Sequence, residues 1–317
     1  MKEELLSWIC CPYCKGDLEL IVTAQESGEI REGELRCSCG KIYPVKKYIP
    51  RFVESDKYSE SFSYEWKRHA KTQLDSSNID KIMEKTSEKQ FQNRIDFPLE
   101  SLKGKLALDA GCGIGRYIEV AHKYGAKVIG FDLSYSIDCA YENIGHLSNV
   151  YLLQVDIFNM PFREGIFDFI YSYGVLHHTP DCEQAFKQLP SLLKNDGKLS
   201  MFVYSSYNKA IVASSAFWRL FTTRMPKKLL YYFSYISIIL YYLYKIPIVG
   251  QIGKAFFVIP MHPDWRWRVL DTFDWYSPKY QSKHTHWEVY KWFQDSGFRD
   301  IIVHPYEITL SGTKYKA

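Results

Sequence analysis

The sequence predicts an α/β fold: a doubly wound parallel sheet, preceded by a small metal-stapled module and interrupted by a helical insert. Between residues 105 and 204, short apolar strands alternate with helices and no long loop intervenes. The first strand, 106–110, runs into the turn Gly111-Cys112-Gly113-Ile114-Gly115, with Asp109 at the strand's end. Asp132 follows 21 residues after Gly111, at the end of the next apolar run. That layout is a nucleotide-binding βαβ unit, in which glycines let backbone approach the ligand and the acid takes ribose hydroxyls. Lastly, five of the eight cysteines crowd into the first forty residues, four of them in two closely spaced pairs.

Composition sets the outer bounds. At 317 residues there is room for one large domain or two modest ones. A net charge of +4 gives no overall bias toward nucleic acid. The cysteines are dilute, which suits metal binding or packing in a reducing cytoplasm better than a disulfide scaffold. No charged segment followed by an apolar one opens the chain, so a signal peptide is not expected.

Residues 1–54 are expected to be a zinc ribbon. Cys11 and Cys14 form a C-x2-C knuckle, and Cys37 and Cys39 a tighter C-x-C followed by Gly40. Four thiolates suit tetrahedral structural zinc and leave no open position for catalysis. Cys10 is an alternative to Cys11. The intervening β-ribbon is too short to bury a core, so metal does the stapling. The Cys-Pro-Tyr-Cys start, the Cys39-Gly40 pair with Tyr43-Pro44, and Ile49-Pro50 resemble the Trm112-like zinc-ribbon family. That resemblance implies a binding partner or appended domain of methyltransferases.

Residues 55–104 read as a linker with cap helices, 79–94 being helical. Phe62, Tyr64 and Trp66 make it unusually aromatic for a connector. It is either a solvated connector or a cap over the cleft; in the second case Tyr64 and Trp66 face the substrate.

In the core, helix is expected at 116–124, 135–143 and 183–193, and strand at 128–131, 151–155, 167–172 and 198–204, with a turn at 194–197. A helix at 285–295 and strands at 299–304 and 307–316 complete seven strands. Ligands of such sheets bind beyond the carboxyl ends of the strands. Asp109, Asp132 and Asp156 stand there, whereas Asp168 lies inside a strand and reads as structural.

The dinucleotide pattern G-x-G-x-x-G would need a glycine where Arg116 stands. The G-x-G-x-G turn after Asp109, the acids Asp132 and Asp156, the Val175-Leu-His-His-Thr-Pro-Asp181 loop and the Leu192-Leu-Lys-Asn-Asp-Gly-Lys-Leu199 stretch resemble the small-molecule-type branch of the class I S-adenosylmethionine (SAM) methyltransferases. The resemblance covers 105–204 closely. It implies a Rossmann-like seven-stranded sheet across 105–317. It also implies a cofactor site of Gly111, Gly113, Gly115 and Tyr173, with Asp132 and Leu133 at the ribose and Asp156 and Ile157 at the adenine. An acid such as Asp109 suits the cofactor's ammonium, and helix N-terminal N–H groups suit its carboxylate.

Methyl transfer from a sulfonium is one displacement, driven mainly by alignment. His177 and His178, beyond strand four, are candidates for a catalytic base at neutral pH. They serve equally well as a packing pair. No Asn/Asp-Pro-Pro-Tyr motif and no Pro-Cys nucleophile accompany them.

The insert, 205–283, occupies the place of a substrate lid. Its 229–244 run is nearly all apolar or aromatic but has only 16 residues, short of the ~20 a membrane span needs. Residues 205–270 carry a net +8. A lid burying its apolar side is one expectation; an interfacial pair at 227–259 touching an anionic membrane or lipid-linked substrate is the other. Asp274, Trp275, Tyr276 and His284 combine aromatic walls with polar heads and are expected on the substrate side.

The expectation is a cytoplasmic SAM-dependent methyltransferase with structural zinc, acting on an oxygen or carbon of a small or lipid-like acceptor. Peripheral membrane contact fits it, and nucleic acid does not, because no RNA-binding motif accompanies the insert's charge. The alternatives are an RNA or protein methyltransferase docking substrate on the ribbon, or a non-catalytic SAM-binding partner protein. The intact glycine turn with three strand-end acids argues against the last.

Overall fold

The computed structural model describes residues 1–315, Lys57 by its backbone alone. The ribbon is a four-stranded antiparallel sheet of β1 (Leu18–Glu26), β2 (Glu29–Cys37), β3 (Ile42–Lys46) and β4 (Ile49–Pro50), in that order. Ser27 and Gly28 both take positive φ, the requirement of a tight two-residue hairpin. Its apolar residues Met1, Leu5, Ile9, Leu35 and Val45 join one cluster with Tyr151, Leu153 and Phe162 of the larger domain. The ribbon therefore shares a core instead of owning one.

The linker holds α1 (Glu60–His69) and α2 (Thr86–Gln92). The helix expected over 79–94 is confined to its second half. Asp80 and Lys85 take positive φ, and the Asp75 carboxylate accepts from the N–H groups of Ser87 and Glu88, fixing a later start.

The main sheet comprises β5 (Leu106–Ala110), β6 (Lys127–Asp132), β7 (Val150–Gln154), β8 (Phe167–Tyr173), β9 (Leu193–Val203), β10 (Phe298–Val303) and β11 (Ile308–Lys314). Its order is β10-β11-β9-β8-β5-β6-β7, parallel from β9 to β7 and antiparallel where β11 joins β9 and β10. Helices α3 (Arg116–Lys123) and α4 (Ser136–Ile144) make the crossovers on one side of the switch point between β5 and β8. Helix α5 (Cys182–Lys187) is shorter than the expected 183–193 because Pro190 opens a separate 3-10 turn. The expected turn at 194–197 lies within β9. In the expected last strand, 307–316, Lys316 lies outside the described residues.

β7 is an edge strand, and the ribbon covers it, which removes an exposed row of backbone groups. Phe52 N–H donates to the Gln154 carbonyl (2.9 Å), and the Arg51 guanidinium meets Gln154 Oε1 (2.8 Å) and Asp138 (2.7 Å). Lys2 Nζ donates to the carbonyls of Gly145, Leu147 and Val150.

The insert folds as α6 (Lys209–Thr222), α7 (Lys227–Phe233), α8 (Ile236–Leu243), α9 (Pro247–Phe256) and α10 (Trp265–Tyr276), before α11 (His286–Asp295) returns to the sheet. The apolar run 229–244 is two short helices. Ser234 Oγ donates back to the Leu230 carbonyl and Ser237 Oγ to the Ser234 carbonyl, closing the break. Leu230, Tyr231, Tyr244, Phe257, Val269 and Phe273 form a core of the insert's own, with Tyr64 of α1 packed against it. No helix among the described residues is long and apolar enough to cross a membrane.

Candidate active site

A cavity of about 600 Å³ opens at the carboxyl ends of β5, β6 and β8, where the strand order reverses. Linker and insert supply its roof. Gly111 and Gly113 line its floor, and Gly115 ends the turn as the residue before α3. Gly111 has φ +89°, and a Cβ there would sit 2.3 Å from a Val175 methyl, so only glycine fits.

The acids differ in how they are held. Asp132 lines the cavity; Oδ2 accepts from Gly113 N–H (2.9 Å) and Oδ1 from Ser134 N–H (2.8 Å) and Oγ (2.7 Å). Burial raises its pKa against those bonds. Asp109 is buried behind the turn, Oδ2 has no hydrogen-bond partner, and burial pushes its carboxyl well up. Asp156 caps a short turn by accepting from Phe158 N–H, while Val155, Ile157 and Leu133 form the wall beside it. Tyr173 lines the opposite side.

Arg116 links the glycine turn to the linker: it donates to Gln73 Oε1 (2.7 Å) and to Tyr117 Oη (2.7 Å) and also contacts Gln90. Arg94, Phe62, Glu65 and Trp66 join the wall from the linker. Asp271, Asp274 and Trp275 join it from α10, as does Trp267.

The sequence-predicted residues divide accordingly. Gly111, Gly113, Asp132, Leu133, Ile157, Tyr173, His178, Trp66, Asp274 and Trp275 meet at one cavity. Asp109, Gly115 and Asp156 stand directly behind its wall. Tyr64 instead packs against Tyr231 and Phe273 under the Arg68 guanidinium. Tyr276 stacks on Phe257 inside the insert core. His284 bonds Ser282 (2.7 Å) and packs on Trp292. Their aromatic character serves packing. Sequence reading missed Glu65, and it did not single out Trp267 and Asp271 within the aromatic, charged stretches 262–268 and 271–278. Trp267, Asp271 and Asp274 fall at i, i+4 and i+7, one face of α10, a spacing that could have revealed them.

His177 is fully buried, its ring tilted against Tyr204 with centroids 3.9 Å apart, and both its nitrogens lack partners. It stands behind His178 and outside the cavity wall. His178 Nδ1 lies 3.0 Å from the Tyr280 carbonyl, an acceptor only, so Nδ1 carries the proton and Nε2 the lone pair. Burial pushes His178 down to about 3 and His177 down as well, which makes both neutral and weakly basic.

In the ribbon, Cys11, Cys14, Cys37 and Cys39 bring their sulfurs within 4.8 Å of one another. Cys11–Cys39 is 3.7 Å and Cys14–Cys37 3.4 Å, close to the about 3.8 Å edge of a tetrahedron with 2.3 Å zinc–sulfur bonds. Tyr43 Oη, 3.3 Å from Cys11 Sγ, adds a contact of the kind that steadies a metal thiolate. Cys10 points elsewhere, toward the Phe162 carbonyl, which decides between the two alternatives.

Fold and site together are those of a Rossmann-like methyltransferase domain of the SAM-dependent class, joined to a Trm112-like domain. The methyltransferase domain family matches residues 108–201 and the Trm112p-like protein family residues 2–47. Among curated relatives, the probable tRNA methyltransferase 9B of Bos taurus is 28% identical over 152 residues, 44% of this chain and 32% of the relative. The tRNA U34 carboxymethyltransferase of Aeromonas salmonicida is 30% identical over 130 residues, 38% of this chain and 40% of the relative. That of Pseudoalteromonas translucida is 34% identical over 105 residues, 32% of each. The chain thus matches 32–40% of these relatives' lengths. Among solved structures, the Haloferax volcanii complex of the Trm112 methyltransferase activator superposes with TM-score 0.47 at 14% identity, covering 81% of this chain and 98% of that one. A SAM-dependent methyltransferase from Mesorhizobium loti gives 0.31 at 26% identity over 35% of this chain and 50% of that one.

Those tRNA-methyltransferase relatives correct two expectations: the small or lipid-like acceptor, and the view that nucleic acid is excluded while a membrane contacts 227–259. The insert's +8 was visible in the sequence, but it comes with no RNA-binding motif, and charge without a motif names no partner. The apolarity of 227–259 in turn partly supplies the insert's own core.

Proposed function

We propose that the chain methylates RNA, with a tRNA nucleotide as acceptor and SAM as donor. The observation carrying this is that relatives matched across the catalytic core are named for chemistry on tRNA. The basic insert supports it: Ile211 and Val258–Pro260 wall the cavity, and Lys209, Arg224, Lys228 and Lys245 are exposed on the insert's surface. We adopt the organisation 1–54 ribbon, 55–104 cap and 105–317 catalytic domain with its lid at 205–283. The ribbon holds structural zinc through its four thiolates, and free thiols suit a reducing cytoplasm.

When bound, SAM supplies a methyl group already activated on a sulfonium sulfur. Asp132 has lone pairs left for ribose hydroxyls after its three internal hydrogen bonds. Asp109, buried behind the turn, is the acid nearest the place where Gly111 and Gly113 admit the ligand to the backbone, and a cofactor ammonium there would favour its ionised form. Trp66, Tyr204 and Trp275 exclude water and align the acceptor, which is the main requirement of a displacement at carbon. His178 Nε2 acts as a hydrogen-bond acceptor in the wall, not as a base.

Incubating the protein with methyl-labelled SAM and fractionated cell RNA tests the reading: label is expected in the tRNA fraction. Label confined to protein or small molecules would overturn it. Charge reversal at Lys209 or Arg224 is expected to weaken tRNA binding irrespective of sequence. Each lost phosphate contact should lower the slope of log K against log salt by about 0.7–0.9.

His178→Gln is expected to keep turnover within about tenfold, since general-base loss typically costs 10²–10⁴. A folded pKa of about 3, below the usual 6.5, means the unfolded state binds the extra proton first. Stability from this group is therefore full above about pH 6.5 and lost as pH falls toward 3. Thermal melts between pH 7 and 4 should show a smaller acid-linked fall for the variant than for the wild type.

A further inference from the structure

The half of the cavity roofed by α1 and α10 has an acidic character that methyl transfer does not require. Glu65 of α1 is 1% exposed, lines the cavity, and its Oε2 has no hydrogen-bond partner. Asp274 of α10 faces the same space; Tyr204 Oη donates to Oδ2 (3.0 Å), while Oδ1 is buried and unpartnered. Asp271 lies one turn earlier and already has partners in His262 Nε2 (3.0 Å) and Gln73 Nε2 (3.3 Å). Among the described residues no cation pairs with Glu65 or Asp274, although Arg116 lies 5.4 Å from the Trp267 ring and Lys283 5.4 Å from the Trp275 ring. Arg219 donates to the carbonyls of Trp275 and Pro278, and Lys283 to Ser215 and Gln281. Trp66, Trp267, Trp275 and Tyr204 supply aromatic faces around the acids.

Buried carboxylate oxygens without partners are costly unless a cation or a proton meets them. Aromatic faces beside them favour a cation. We propose that Glu65 and Asp274, walled by Trp66, Trp267 and Trp275, form a cation subsite that receives an ammonium or protonated amine group of the acceptor. Burial pushes Asp274 up to about 7 and Glu65 well above the carboxylate range, as expected of acids waiting for a positive partner. The proposal rests on the RNA reading only for the carrier of that group, an acceptor nucleotide bearing an amine substituent. An amine-installing reaction would then precede methylation.

Titration calorimetry with tetramethylammonium chloride tests it, with S-adenosylhomocysteine saturating the cofactor half and neopentyl alcohol as a neutral, soluble analogue of similar bulk. Saturable binding of the ion at least tenfold tighter than of the alcohol is expected in the wild type. Glu65→Gln and Asp274→Asn should each weaken the ion tenfold or more while leaving S-adenosylhomocysteine affinity within about twofold. Equal binding of ion and alcohol overturns the proposal whether or not the variants fold. A matching loss of S-adenosylhomocysteine affinity overturns it too, by giving the carboxylates to the cofactor. None of these outcomes depends on RNA being methylated.

Discussion

Gly111→Ala is expected to lower S-adenosylhomocysteine affinity at least tenfold and to reduce methyl transfer more than a hundredfold. Two costs combine at this residue. Its φ of +89° penalises any L side chain by on the order of 1–2 kcal/mol. The new Cβ would also stand 2.3 and 2.6 Å from the two Val175 methyls, far inside contact distance. The backbone cannot easily retreat, because Gly111 N–H donates to the Phe131 carbonyl of β6 (2.9 Å). Val175 must move instead, and it belongs to the loop that carries His178 and Thr179 into the cavity wall. Gly165→Ala is the control: φ is also positive, at +65°, but nothing lies within 4 Å of the added Cβ. It should pay only the conformational cost and bind ligand normally. Calorimetry on both variants separates steric damage at the turn from general strain, and wild-type affinity in Gly111→Ala would remove the turn from the cofactor site.

The sheet was readable because its signals are local. Apolar strands ending in Asp109, Asp132 and Asp156, with glycines between, mark the carboxyl edge without any knowledge of packing. The ribbon was readable through cysteine spacing, although the choice of Cys11 over Cys10 needed three dimensions. The lid was not. Tyr64 and Tyr276 look like pocket residues in sequence, yet an insert of short helices must build its own core, and large aromatics are its material. Glu65 was passed over for the opposite reason: an acid in a polar linker reads as solvated until α1 is seen lying on α10 over the cavity. The acceptor was the least legible, since the insert's +8 was plain in the sequence but carries no motif that tells a nucleic acid from an anionic surface.

Loss of metal from the ribbon is expected to reach the catalytic site as well as the fold. The wild type should carry one zinc per chain by metal analysis, and Cys14→Ser or Cys37→Ser should lose it. The melting temperature is then expected to fall by about 10 °C. Structural zinc contributes on the order of 10 kcal/mol to isolated ribbons. Here part of that is replaced by the shared apolar core of Leu5, Ile9 and Leu35 against Tyr151 and Phe162. A residual few kcal/mol corresponds to roughly 2–4 °C each in a large domain. The route to the site is short. Arg51, just after β4, holds Gln154 Oε1 (2.8 Å), and Gln154 Nε2 donates to the carbonyl of Leu133 (3.0 Å), which lines the cavity beside Asp132. A loosened ribbon releases Arg51 and leaves Gln154 free to turn. Arg51→Ala, with zinc retained, should therefore reproduce a several-fold loss of S-adenosylhomocysteine affinity with a smaller change in melting temperature. If the cysteine variants lose zinc and stability but bind the ligand as the wild type does, the ribbon is a staple only and the Arg51–Gln154–Leu133 link carries no coupling.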